Sequence, residues 1–298
     1  MNITAQMVKE LREKTQAGMM DCKKALVETD GDMEKAVTWL RERGIAKAGK
    51  KADRVAAEGL CSYAINGNHA VLFEVNSETD FVAKNEKFIN LVNFLGESIV
   101  NSNATNTDEA LAVVVDGKDL NTHILEASGT IGEKISLRRV TVLNKENDEI
   151  FGAYKHMGGS IVACVVLANA DEDKAKDIAM HIAAISPRFI SKDDIPAEDI
   201  AKEREIILHQ ALNENKEAAK PKPEKIIEEK IVPGRLEKGL KEICLLSQAF
   251  VKNPDLTVEA FLGKSVVKNF VRLKVGEGIE KEVVDFATEV ALQAGLNK

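Results

Sequence analysis

Two short runs whose apolar residues follow a period of two, 60–65 and 70–75, flank the tripeptide Asn66-Gly67-Asn68. Asn-Gly between such runs is a strong hairpin signal, because the favoured two-residue turn needs positive φ at its central residues. This signal narrows the fold more than any other. It commits the chain to antiparallel pairing, with Val71, Phe73 and Val75 on one face of the second strand. An apolar stripe at helical spacing follows in Phe88, Leu91, Val92, Leu95 and Ile99, and after two shorter helical stretches residues 135–143 return to strand period. The unit reads as hairpin, helices, strand.

A similar order recurs downstream: strand 151–156, a Gly158-Gly159 turn, strand 160–168, helix 173–185 and a returning strand at 270–275. Gly152-x-Tyr154 echoes Gly59-x-x-x-Tyr63, and acidic turns follow both hairpins. The echo predicts two related α+β subdomains. Ahead of them lie three helical patterns, 4–14, 19–28 and 32–43, with apolar spacing at Met7, Val8 and Leu11, then Cys22, Ala25 and Leu26, then Ala36, Val37 and Leu40. Gly18 and Asp30-Gly31 punctuate them, and Asp32 is placed to cap the third. The second subdomain is interrupted by a charge-dense stretch carrying Ile206, Ile207, Leu208, Ala211 and Leu212, then Pro221 and Pro223, then Ile226, Ile227 and Ile231. Two helices joined through a Pro turn would make a projecting hairpin whose apolar seam favours another surface or a second copy.

The expected organisation is therefore α+β. It comprises a three-helix domain with a basic linker at 1–54, a first core subdomain at 55–143, a second at 144–279 with a helical hairpin inserted at 195–232, and a C-terminal helix within 280–298.

Charge and cysteine usage exclude several functions. A net charge of -7 argues against direct nucleic-acid binding, which draws on clustered Lys and Arg. Residues 1–11 hold Lys9 and Glu10 without an apolar core, and the longest apolar stretch, 161–168, is far short of a membrane span of about 20 residues. The expectation is a cytoplasmic protein with no membrane partner. Cys22, Cys61, Cys164 and Cys244 form no CxxC pair and have no His at ligand spacing, so buried reduced thiols are expected and no metal or cofactor is. Between 41 and 54, six basic residues face two acidic ones. That run reads as a solvated linker or charged helix face, or else as a basic contact surface.

No constellation points to catalysis. His69, His123, His181 and His209 are isolated, and His156, at the end of a strand beside Gly158-Gly159, has no nucleophile or carboxylate placed to form a triad. The glycines lack the following Lys of a phosphate loop and read as a hairpin turn. At 77–88, Ser77, Thr79 and Asp80 are capping types at a strand-to-helix turn. Phe81 precedes Phe88 by seven residues, within about 20° of the same stripe on an ideal helix, so periodicity alone makes it a core residue.

Several long motifs occur in one order: GDMEKAVTWL at 31–40, VAAEG at 55–59, TDFV at 79–82 followed by NEKF at 85–88, MHIAAISPRF at 180–189 and FVRLKVGEGI at 270–279. Together they resemble the elongation factor Ts family along nearly the whole chain. The resemblance implies a non-enzymatic guanine nucleotide exchange factor whose partner is the GTPase elongation factor Tu. It implies that the three N-terminal helices take a ubiquitin-associated-like fold that docks on the GTPase domain. Thr79, Asp80, Phe81 and Val82 would form a turn wedged near the partner's magnesium and phosphate site, which displaces the core reading of Phe81. His156 would approach the same domain from the second hairpin, where Ser160 and Val162 stand in place of the basic residue and glycine often found there. The inserted hairpin would mediate a homodimer or touch the partner, and the last helix, 280–292, would be the C-terminal module.

Overall fold

The computed structural model describes residues 3–15, 17–49, 51–218 and 220–280. The expected C-terminal helix at 280–292 lies outside these residues apart from Glu280. Mixed helices and antiparallel strands with a helical N-terminal region make this an α+β chain. It divides into two compact units, one of residues 1–64, 73–141 and 273–298, the other of residues 65–72 and 142–272.

The first unit opens with α1 (Ala5–Thr15), α2 (Met19–Glu28) and α3 (Met33–Gly49). Val8, Leu11, Cys22, Ala25, Leu26 and Ala36 form their shared core, and the Asp32 carboxylate accepts the Lys35 N–H at 3.0 Å, as an N-cap does. Helix α3 runs six residues past Arg43, the expected end. No Pro or capping glycine stops it before Gly49, and Gly44 meets Gly129 closely enough that a Cβ on Gly129 would lie 2.6 Å from the Gly44 backbone. Two glycines let the helix backbones touch there.

Next come β1 (Glu58–Asn66), β2 (His69–Ser77), α4 (Asp80–Ala83), α5 (Glu86–Val100), α6 (Thr107–Leu111), the two-residue strands β3 (Val114–Val115) and β4 (Lys118–Asp119), α7 (Leu120–Ile131) and β5 (Ser136–Asn144). The sheet order is β1-β2-β5. Gly96 of α5 lies so close to the Phe73 ring that a Cβ would sit 3.0 Å from it, so the helix presses onto the central strand. Phe73, Phe88, Leu95 and Ile99 are fully buried.

The second unit contains β6 (Glu149–His156), β7 (Ile161–Ala168), α8 (Glu172–Ile185), α9 (Ala197–Glu217), the short α10 (Glu224–Ile226), α11 (Val232–Ile243), β8 (Ala249–Phe250), β9 (Asn253–Thr257), α12 (Val258–Leu262) and β10 (Val266–Lys274). Strands β6 and β7 pair antiparallel from Glu149↔Ala168 to His156↔Ile161, and the sheet order is β10-β7-β6. In both three-stranded sheets the second hairpin strand is central and a later strand returns on its far side. Helix α8 crosses β6 at Gly152, where a Cβ would fall 2.0 Å from the Ala175 carbonyl oxygen. The echo of Gly59 and Gly152 thus has two causes, since Gly59 itself takes φ 130° beside the Val75 carbonyl.

The inserted helical hairpin is longer than expected. Its second arm passes through a π turn at Ile227–Ile231 and continues to Ile243, beyond the predicted end at Val232. Pro233 does not end the helix, because it falls in the first turn of α11, directly after the π turn, where the missing N–H is tolerated. Ile207, Ala211, Ile227 and Val232 close the seam, and Arg235 holds Glu214 through two hydrogen bonds of 3.1 and 2.6 Å. Its neck is narrow: Arg188 N–H donates to the Ile243 carbonyl at 2.9 Å, and Leu245 N–H to that of Phe189 at 2.9 Å.

Beside the neck sits His181, fully buried. The Val251 N–H donates to His181 Nδ1 at 3.2 Å, which leaves Nε2 to carry the proton and donate to Gln248 Oε1 at 2.9 Å. Gln248 Nε2 in turn donates to the Glu242 carbonyl at 2.6 Å, fixing the amide orientation. Burial pushes the imidazole pKa down, partly opposed by Gln248.

Replacing residues 191–241 with a flexible Gly/Ser linker of about eight residues, long enough to rejoin the neck, is expected to leave cooperative unfolding intact. Loss of a sharp denaturation transition counts against the boundaries of the insertion. A second expectation concerns pH. The folded pKa of His181 lies below that of the unfolded chain, so its contribution is complete above about 6.5 and declines as pH falls through that value. Denaturation midpoints should therefore drop between about pH 7.5 and 5.5 more steeply in the parent protein than in His181→Gln, and equal slopes would refute the assignment.

Candidate functional site

The turn after β2 gathers most of the residues singled out by sequence. Ser77 is fully buried at the strand end, its hydroxyl donating to the Thr79 carbonyl at 3.0 Å. Thr79 occupies the N-cap position of α4, but its side chain makes no cap bond to the helix. Its hydroxyl and its N–H go instead to the Glu133 carboxylate, at 2.6 and 2.9 Å. The capping reading of Thr79 is corrected accordingly.

Asp80 opens the helix, exposed and paired with Lys84 Nζ at 2.7 Å. The Lys84 ammonium holds its carboxyl below the usual carboxylate range, so Asp80 is ionised at neutral pH. Phe81 is 80% exposed, the most exposed of the large apolar residues described. The core assignment from periodicity fails for an identifiable reason. Helix α4 ends at Ala83 with Lys84 as its C-cap, and a new helix starts at Glu86 with the Asn85 side chain accepting the Lys87 N–H at 2.9 Å. Phe81 and Phe88 therefore never share a helix, and the phase that relates residues seven apart is lost at the break. Phe88 is buried and Phe81 is not. Val82, expected to face a partner with its neighbours, is instead buried at 8% exposure.

Glu133 and Glu78 are the residues that sequence reading missed. No local signal marks them, since Glu133 bonds Thr79 and Glu78 bonds Lys134 across more than fifty positions, and even Arg54 is twenty-four positions from Glu78. The basic run also finds intramolecular partners: Arg41 pairs with Glu126, Lys51 donates to the Gly132 carbonyl and Arg54 pairs with Glu78 at 3.2 Å.

His156 ends β6 in the second unit, exposed, with the Tyr154 hydroxyl 3.3 Å from its Nδ1. The turn that follows holds Met157 at φ 45° and 76% exposure, then Gly158 at φ 69°. A non-glycine residue at positive φ is uncommon, and here it thrusts an apolar side chain into solvent. The Gly158-Gly159 pair is a hairpin turn, as expected. Among the described residues no group of three His, Cys, Asp or Glu side chains could hold a metal ion, and no helix is long and apolar enough to cross a membrane. All four cysteines are free and buried, and burial pushes the thiols of Cys61 and Cys164 up to about 12.

The family model described as Elongation factor TS matches residues 78–277, well over half of the 298 residues. The chain belongs to the elongation factor Ts family. Membership makes it a nucleotide exchange factor for elongation factor Tu in translation elongation, which is not an enzyme in the usual sense. The matched residues begin at the turn that carries Phe81 and include the whole of the second hairpin.

Truncation of Phe81 to Ala is expected to cost the free protein under about 1 kcal/mol, as exposed positions do, against about 3 to 5 for a core phenylalanine. Chemical denaturation of the two proteins measures the difference, and a loss of several kcal/mol would return Phe81 to the core.

Proposed function

We propose that the turn at Thr79, Asp80, Phe81 and Val82 is the element that disturbs the magnesium and phosphate site of elongation factor Tu. The observation that carries this reading is the 80% exposure of Phe81. A phenylalanine left in water at a helix start is apolar area that only a partner can bury. Asp80 stands beside it as a carboxylate able to compete for groups around the magnesium shell, while buried Val82 and Glu133-bound Thr79 support the turn from within.

Exchange follows from reciprocal coupling. A protein that binds the nucleotide-free GTPase more tightly than the GDP form weakens GDP binding by the same factor. Phe81 would be buried only in the opened partner, so its contact favours that state, and GDP leaves once magnesium no longer neutralises its phosphates. His156, with Met157, would meet the same partner from the second hairpin. We further propose that the N-terminal helices, 1–54, dock on the GTPase, and that the inserted hairpin either pairs two copies or touches the partner. The protein acts in the cytoplasm without direct contact to nucleic acid.

A holding protein would bind elongation factor Tu without turnover. Release of labelled GDP at a small molar fraction of this chain separates the two: acceleration is expected well below one equivalent, with the equilibrium among free nucleotides unchanged. Phe81→Ala should lower the maximal rate at saturating partner by about tenfold or more. Acceleration seen only at stoichiometric amounts, or a variant as fast as the parent, would overturn the proposal.

A further inference from the structure

A four-residue helix is too short to be stable by itself, yet Phe81 is presented from one. Given the reading of Phe81 above, we propose that Glu133 is a positioning residue for exchange, which with Glu78 holds the Asp80–Phe81 turn in its presenting conformation before the partner arrives.

The arrangement is reciprocal. The carboxylate of Glu133 accepts the N–H of Thr79 at 2.9 Å, and the carboxylate of Glu78 accepts the N–H of Lys134 at 2.6 Å. Two neighbouring residues on one segment thus bond two neighbouring residues on the other. Glu133 uses its second oxygen on the Thr79 hydroxyl at 2.6 Å, and Glu78 uses its carboxylate also on Arg54 at 3.2 Å. The bonds of Glu133 to Thr79 and of Glu78 to Lys134 are charge-assisted and part-buried, the stronger class of hydrogen bond, while Arg54 meets Glu78 at the exposed edge.

Each side of the clamp is itself placed. Gly132 ends α7 at φ 96°, a conformation other residues rarely adopt, and Ser128 Oγ donates to the Glu133 carbonyl at 2.5 Å. Lys134 reaches in the other direction, with Nζ donating to the carbonyls of Ala52 and Arg54 at 2.5 and 2.8 Å. The segment that follows the N-terminal helices is therefore tied to the same turn. Neither carboxylate needs to touch a partner. Their work is to meet the ordering cost of the turn in the free protein, so that it is not charged against binding.

This role makes a prediction that general stabilisation does not. Glu133→Ala should raise the half-saturating concentration of elongation factor Tu carrying GDP on the order of tenfold, because the partner must now order the turn. The maximal rate should stay within about twofold, because the bound turn still presents Phe81. Phe81→Ala has the opposite signature. Amide hydrogen exchange should quicken across residues 78–84 and remain slow across 70–77. Thr79→Val, which keeps the N–H bond and loses the hydroxyl bond, should shift both readouts less, and Thr79→Ser should restore them.

Unchanged half-saturation and unchanged exchange protection in Glu133→Ala overturn the clamp. A fall in maximal rate that tracks a fall in global unfolding stability overturns it too, since Glu133 would then be only structural. Normal catalysis by Phe81→Ala sinks the reading on which the clamp rests, whereas a slow Phe81→Ala beside an unaffected Glu133→Ala sinks the clamp alone.

Discussion

A buried carboxylate organises the first unit. Glu74 lies in the middle of β2 with no solvent exposure, and an ion left unpaired there would cost several kcal/mol. Arg138 bonds it at 3.1 and 3.3 Å, Arg139 at 2.6 Å, Asn76 at 2.9 Å and the Gly276 N–H at 2.7 Å. These partners come from β2 itself, from β5 and from the turn after β10. Satisfying one charge therefore brings residues about two hundred positions apart in sequence to the central strand. Gly276 can approach because it takes φ 70° and carries no Cβ, which would fall 2.4 Å from the Ala57 carbonyl oxygen.

The strand that carries Glu74 ends at the turn that carries Phe81. A firm strand end matters for a short helix, since α4 has no length from which to draw stability. Ser77, the Glu133 carboxylate and the break at Lys84-Asn85 together decide where Phe81 points. The proposed partner contact thus rests on the same strand whose charge orders the unit. Exposure of one aromatic residue is a consequence of how its neighbours are held, not of its own chemistry.

Much of the architecture was legible in the chain itself. The turn within Asn66-Gly67-Asn68, closed by Gly67 and Asn68, the Gly158-Gly159 turn and the helical stripe from Phe88 to Ile99 depend on neighbours within a few residues, and the strands and helices appear where those signals place them. The family could be read for a related reason, because long motifs in fixed order are local strings. Helix ends were less legible. Pro233 looks like a stop, yet it sits in the first turn of α11 after a π turn, and α3 passes Arg43 to Gly49.

Sequence alone determined the order of hairpin, helix and returning strand in each unit and the type of residue at the turn, since periodicity and turn chemistry act over a few bonds. It did not reveal the short β3–β4 and β8–β9 pairs or α12, because those signals need longer runs to show. Tertiary structure decided the rest. Whether Phe81 faces core or solvent turned on a helix break that resets the phase. Val71, Phe73 and Val75 read as the one buried face of β2, yet every residue from Ala70 to Ser77 is buried. Thr79 reads as a helix cap, yet its bonds go to Glu133, fifty-four positions away. Burial and the pairing of distant charges depend on which surfaces meet, and a linear pattern of residues does not carry that information.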